Sequence, residues 1–163
     1  NRRKGKNPTT MRQEIILISK LLKGKTRFYN KDYSEILRLA APDDLIYMDP
    51  PYQGICSNRD HRYYNGIIYE DFITNLEYLN SRGISYLISY DGRTGDKIYG
   101  QDLPASLNLS KILVEVGRSS QSTLLGNKDI TYESLYISKA LSDKLSIEIP
   151  KTLSLRAKQL AFV

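Results

Sequence analysis

The chain contains no tryptophan, one cysteine (Cys56) and one histidine (His61). A lone cysteine excludes an intramolecular disulfide, so no covalent staple holds the fold. Without a His/Cys cluster or a dense carboxylate set at ligand spacing, no metal site is supported. His61 falls in a polar loop, where an isolated histidine more often faces solvent than catalyses, and it receives no catalytic assignment. No apolar run approaches bilayer-spanning length and no secretory apolar region is present, so a soluble, cytoplasmic chain is expected. What is plentiful is tyrosine, 13 residues, and positive charge, 24 Lys and Arg against 18 Asp and Glu for a net +6. Basic excess suits a polyanionic partner, although alone it is a weak pointer. The tyrosines read as core edges and sheet faces rather than as a stacking platform. At 163 residues and 40% hydrophobic content, one globular core is expected.

Local patterns divide the chain into alternating helices and strands. Asn1 to Lys6 is a basic stretch in which Arg2, Arg3, Lys4 and Lys6 either contact phosphates or form a solvated charge run. Thr10 with Gln13 fits a capping box, and Met11, Ile15, Ile18 and Leu22 share a helical face that Gly24 ends. A short strand is expected over Thr26 to Asn30, then Asp32 and Tyr33, then a helix from Ser34 to Ala41 stopped by Pro42. Leu45 to Met48 reads as a buried strand. A long polar loop, Gln53 to Ile68, precedes a helix over Glu70 to Arg82 with Phe72, Ile73, Leu76 and Leu79 inward and Gly83 as its stop. Ile84 to Ser89 is the next strand, and Gly92, Gly95 and Gly100 read as turn residues. Lys111 to Gly117 and Thr131 to Ser138 form an antiparallel pair. The loop between them carries Arg118, Ser119, Ser120 and Gln121, whose donors suit phosphate oxygens or, equally, a hydrated hairpin.

Asp49-Pro50-Pro51-Tyr52, directly after the apolar strand, is the most informative segment, because ligands of open α/β sheets bind beyond the carboxyl ends of the strands. Two prolines fix φ, remove two backbone donors and hold the chain extended. The result is a stiff ledge presenting a carboxylate, free carbonyls and a ring. It suits a flat, amine-bearing heterocycle: Asp49 accepts one N–H, the Pro50 carbonyl a second, and Tyr52 stacks on the face. Adenine is the obvious candidate.

Asp43-Asp44-Leu45-Ile46-Tyr47-Met48-Asp49-Pro50-Pro51-Tyr52-Gln53-Gly54, followed by Ser89-Tyr90-Asp91-Gly92 and then Gly117-Arg118-Ser119-Ser120-Gln121-Ser122-Thr123-Leu124-Leu125-Gly126, resembles the Dam-like, alpha-class adenine-N6 DNA methyltransferases. Thr131 to Ser138 is similar to their closing strand. The resemblance covers 1–138, with 1–8 as the end of a target-recognition region and 139–163 as a tail of unassigned role. It implies an α/β, Rossmann-like S-adenosylmethionine-dependent methyltransferase fold whose last two strands are antiparallel. It also implies double-stranded DNA as partner and a restriction-modification setting. By the same resemblance Asp49, Pro50, Pro51 and Tyr52 are catalytic, and Asp32, Tyr33 and Asp49 contact the cofactor, although Asp32 equally suits a helix cap. Arg2, Arg3, Lys4, Lys6, Arg118, Ser119, Ser120 and Gln121 are implied DNA contacts.

The chain departs from this family by lacking its Phe-x-Gly-x-Gly loop, which cradles the methionine part of the cofactor. The implied strand order 3-2-1-4-5-7-6 would make Thr26 to Asn30 edge strand 3 and Leu45 to Met48 central strand 4, leaving an incomplete sheet of strands 3 to 7. An N-terminal fragment or partner subunit is therefore expected to supply strands 1 and 2 and the cofactor loop. Two other readings stay open: an RNA or protein amide methyltransferase, and a non-catalytic DNA-binding or specificity module.

Overall fold

A computed structural model describes residues 7–51, 67–118, 129–146 and 152–156. The chain divides into two compact units, Asn1–Asp32 and Tyr33–Val163.

The first unit is built on helix α1, Pro8–Leu22. Its start lies before the expected Thr10: Asn7 caps it, accepting a hydrogen bond from the Thr9 amide at 2.9 Å, and Pro8 supplies the preset φ of a first helical turn. Gly24, at φ +74, follows the end as expected. No residue of α1 is buried, and Met11, Ile15, Ile18 and Leu22 are all exposed. The strand expected over Thr26 to Asn30 is not formed, which corrects the sheet of strands 3 to 7 at its first member. A strand exists by pairing, and no described ladder includes these residues.

The second unit contains α2 (Tyr33–Leu37), β1 (Leu45–Met48), α3 (Tyr69–Ser81), β2 (Ser85–Thr94), β3 (Lys97–Tyr99), a 3-10 turn (Ala105–Leu107), β4 (Ser110–Arg118), β5 (Ile130–Ile137), α4 (Lys139–Leu145) and β6 (Thr152–Arg156). Its six-stranded sheet runs β1-β2-β5-β4-β6, with β3 hairpinned onto β2. β1 is parallel to β2 and β6 to β4, while the other pairs are antiparallel. The closing strand β5 thus inserts between β2 and β4, and the expected antiparallel pair is present. The tail is not featureless: it supplies α4 and the edge strand β6.

Strand parity decides which side of the sheet is finished. Ile46, Met48, Tyr86, Ile88, Tyr90 and Tyr136 turn to one face, where Phe72, Leu76 and Leu79 of α3 cover them in the main core. Each fully buried apolar side chain of this kind contributes about 1.5 to 3 kcal/mol. Asn80 of α3 ties the helix down, accepting from the Tyr86 hydroxyl at 2.9 Å and donating to the Leu107 carbonyl at 3.0 Å. The opposite face carries a smaller cluster of Ile112, Ile137 and Leu141 of α4, with Leu87, Val114 and Leu135 against it. Ser138 starts α4 while holding it to the sheet: its hydroxyl accepts from the amides of Tyr86 and Leu141. On that same face Leu45 and Tyr47 of β1 stay 58% and 62% exposed, and among the described residues β1 has a partner on one edge only.

Candidate active site

β1 stops because Pro50 and Pro51 cannot donate to a ladder, which leaves Asp49 as the first residue beyond the carboxyl end of a parallel strand. The pairing Met48↔Ile88 places Asp49 level with Ser89 of β2. Parity sets it on the less covered face with Leu45 and Tyr47, and it is exposed beside half-buried Pro50 and Pro51. Among the described residues no hydrogen bond or ion pair engages its carboxylate. An exposed, unengaged acid on a rigid ledge is available to accept from a ligand.

β2 does not end at Ser89 as its sequence suggests. It bulges between Ser89 and Gly92 against β5 and then continues to Thr94. Gly92 is therefore a strand residue and not the turn expected, whereas Gly95 and Gly100 do sit in turns at positive φ. The reason is close approach: a Cβ on Gly92 would lie 2.4 Å from the Tyr132 carbonyl oxygen. Asp91, within the bulge, adopts φ +53, a left-handed conformation that Asp tolerates better than most residues. It is only 3% exposed. The Tyr136 hydroxyl donates to it at 2.9 Å and the Lys111 ammonium lies 3.9 Å away. Lys111 also bonds Asp102. Burial nevertheless pushes the Asp91 carboxyl above the usual aspartate range, against the pull of Ser134 and Lys111. The same burial, with Asp91 beside it, raises the Tyr136 phenol strongly. Asp91 is thus built into the core side of the sheet.

Glu133 of β5 pairs with Gly92 and with Val114. It is half-buried, and burial first and the Asp49 carboxylate second push it above the usual glutamate range. No individual role follows for Glu133 from its sequence context, but its alternation with Leu135 and Ile137 is the signal that places it on an inward-turned stripe.

Tyr33 opens α2, half-buried, with its ring edge-on to Phe72 at 6.3 Å, and Phe72 in turn meets Tyr90 at 5.4 Å. Asn75 donates to the Tyr33 hydroxyl at 3.4 Å. Asp32 is the last residue of the first unit and is exposed. The backbone of Arg118 closes β4 opposite Ile130. Tyr52, Arg2, Arg3, Lys4, Lys6, Ser119, Ser120 and Gln121 lie outside the described residues, as does the polar loop from Gln53 to Gly66. Among the described residues no group of three or more His, Cys, Asp or Glu could hold a metal, and no helix is long and apolar enough to cross a membrane.

No curated protein and no solved structure matches the chain. A family comparison does. The sequence model of the D12 class N6 adenine-specific DNA methyltransferases matches residues 1–120, a span that includes β1, the Asp49-Pro50-Pro51 ledge and the whole of β2. The chain belongs to that family, and it is a DNA adenine-N6 methyltransferase that uses a methyl donor.

Proposed function

We propose that this chain carries the target-base side of a site-specific methyl transfer from S-adenosylmethionine to the N6 of an adenine flipped out of duplex DNA. The observation that carries the reading is the exposed Asp49 carboxylate at the end of β1, which no hydrogen bond or ion pair engages among the described residues. Asp49 accepts one N6 hydrogen and the Pro50 carbonyl the other, Pro51 keeps the ledge extended, and Tyr52 stacks on the ring. This orients the N6 lone pair, and the carboxylate stabilises the positive charge that develops on nitrogen. When bound, S-adenosylmethionine supplies the electrophilic methyl on a sulfonium centre.

The residues present fit one end of that cofactor. Asp32 and Tyr33 are assigned to its adenine ring, with Asp49 at the methyl end. The Tyr33 hydroxyl is engaged by Asn75, which leaves ring surface as its contribution. No glycine cradle for the methionine end occurs in the sequence. Among the described residues the unpaired edge of β1 and the exposed Leu45 and Tyr47 support a complement supplied by an N-terminal segment or a partner subunit. With it, β1, β2, β4 and β5 would take the places of strands 4, 5, 6 and 7 in a Rossmann-like sheet. Arg2, Arg3, Lys4, Lys6, Arg118, Ser119, Ser120 and Gln121 are assigned to phosphates. A cytoplasmic restriction-modification system is the proposed setting.

Methyl transfer to unmodified duplex DNA against RNA of the same sequence, with the chain alone and with its N-terminal complement, tests the reading. Duplex DNA methylated at adenine N6 is the expected product. Preferential labelling of RNA or protein would replace the DNA assignment of the pocket.

A further inference from the structure

One ionisable side chain on the open face has no place in the scheme above. Glu133 is half-buried at the β2 bulge, and among the described residues no hydrogen bond or ion pair engages it. Holding a carboxylate partly out of water without a donor or cation is unfavourable, and functional sites are where such arrangements concentrate. The register explains how it comes to lie there. Ser89 pairs with Leu135, and two residues further toward the carboxyl ends of β1 and β2 the bulge brings Gly92 opposite Glu133. Parity keeps Glu133, Leu135, Leu87 and Asp49 on one face, so the two acids stand at the same end of the sheet on the same side. Gly92 has no side chain to intervene, and a Cβ there would collide with β5.

We propose that Glu133 is a second carboxylate of the base site, on the same face of the sheet as Asp49 with β2 between them, and the final acceptor of the proton that N6 must shed. The inference rests on the reading of Asp49 given above. Attack by the N6 lone pair forms the N6–CH3 bond as the S–CH3 bond breaks, and that bond's electron pair remains on sulfur, which becomes a neutral thioether. Nitrogen then carries two hydrogens, the new methyl and a positive charge. One proton passes to Asp49 and, through solvent over β2, on to Glu133, which returns it to bulk water, and N6 keeps one hydrogen. Glu133 suits this duty because burial and its neighbour hold its proton affinity above that of an ordinary glutamate, closer to working pH. The surroundings leave Asp49 as the titratable group that acts on it. Gly92 and Thr94 of β2 and Val114 of β4 share its face, while Arg93, Tyr132, Asp91, Lys111 and Glu115 belong to the other. On α4, Lys139 pairs with Asp143 and Lys144 donates to the Pro42 carbonyl.

Two measurements test this. The first is an NMR titration of the Glu133 carboxyl in the protein without DNA or donor, in parent and Asp49→Asn. The parent value should lie above the ordinary glutamate range and fall when Asp49 is neutralised; a value that does not move overturns the pairing. The second is the pH dependence of single-turnover methylation for Glu133→Gln, with Glu133→Asp as the conservative variant. Glu133→Gln should lower the rate about ten- to a hundredfold and displace the acid limb, with DNA affinity unchanged, and Glu133→Asp should restore the limb. A merely structural glutamate would lower the unfolding midpoint and leave the limb in place, which overturns the proposal. Turnover undiminished by Asp49→Asn would instead sink the reading of Asp49, and this proposal with it.

Discussion

Asp49 and Asp91 lie at the carboxyl end of neighbouring parallel strands, yet they live in opposite circumstances. Asp91 turns to the face that α3 covers, where Tyr136 and Lys111 answer it and only 3% of it meets solvent. Asp49 turns to the face that the described residues cover less, exposed and without a partner among them. The difference teaches which acid the fold already uses and which it leaves available to a ligand. A buried carboxylate already bonded to its neighbours has little left to offer a ligand, whereas an exposed one on a proline-stiffened ledge has everything to offer. The same division separates the two sides of the sheet: one is finished by Phe72, Leu76 and Leu79, and the other presents Leu45, Tyr47, Asp49 and Glu133.

The sharpest way to break this comparison is to remove each acid in turn. Asp49→Ala should abolish adenine methylation while leaving DNA affinity and the unfolding midpoint near the parent's, since affinity comes mainly from phosphate contacts. Turnover above a few per cent of the parent would remove Asp49 from its role. Asp91→Ala should act on stability instead. It leaves Tyr136 and Lys111 without their buried partner, at a cost of about 2 to 4 kcal/mol in urea unfolding. An unfolding free energy within 0.5 kcal/mol of the parent, roughly the scatter of neutral surface changes, would contradict its structural assignment.

On the open side, Tyr52→Ala should reduce turnover at least roughly tenfold more than Tyr52→Phe, because stacking on an aromatic face is worth on the order of 1 to 3 kcal/mol and uses no hydroxyl. Equal loss in both variants would show that the hydroxyl matters. The smallest expected effect is a pH dependence. Burial, only partly offset by Ser134 and Lys111, raises the folded-state pKa of Asp91 above its unfolded value of 3.8. The native state thus holds more protons than the unfolded state between those two values, and stability associated with this group is lost as pH rises through them. Asp91→Asn should flatten that part of the stability profile, measured by urea unfolding across acid pH. A mutant profile parallel to the parent's would contradict the cause assigned.

Much of this was readable from residues. The strand Leu45 to Met48, the amphipathic spacing of Phe72, Leu76 and Leu79, Gly83 as a helix stop and the closing antiparallel pair are all present. Leu45 to Met48 reads as a buried strand, however, and its Leu45 and Tyr47 are exposed, because nothing among the described residues covers them. The errors have a common cause, which is that strands are made by neighbours. Thr26 to Asn30 has strand-like residues and no described partner, so it forms no strand. Asp91 to Thr94 looks like a turn, yet pairing with β3 on one side and β5 on the other extends β2 through it. The bulge that carries Asp91 inward and sets Glu133 opposite Gly92 depends on two strands more than thirty residues apart in sequence. For that reason the end of β1 at Asp49 was legible and the placement of Glu133 was not. Tyr52 and the residues expected to contact phosphate lie outside the described residues, apart from the backbone of Arg118.

The central proposal is that another polypeptide segment completes the side left less covered by the described residues. Calorimetric titration of S-adenosylmethionine into the purified 163-residue chain, alone and then with its N-terminal complement, tests it most directly. Weak or no binding by the chain alone is expected, because the proposed contacts Asp32, Tyr33 and Asp49 would serve only the adenosine and methyl ends, with micromolar binding once the proposed complement is added. Micromolar binding by the chain with no other polypeptide present would contradict it.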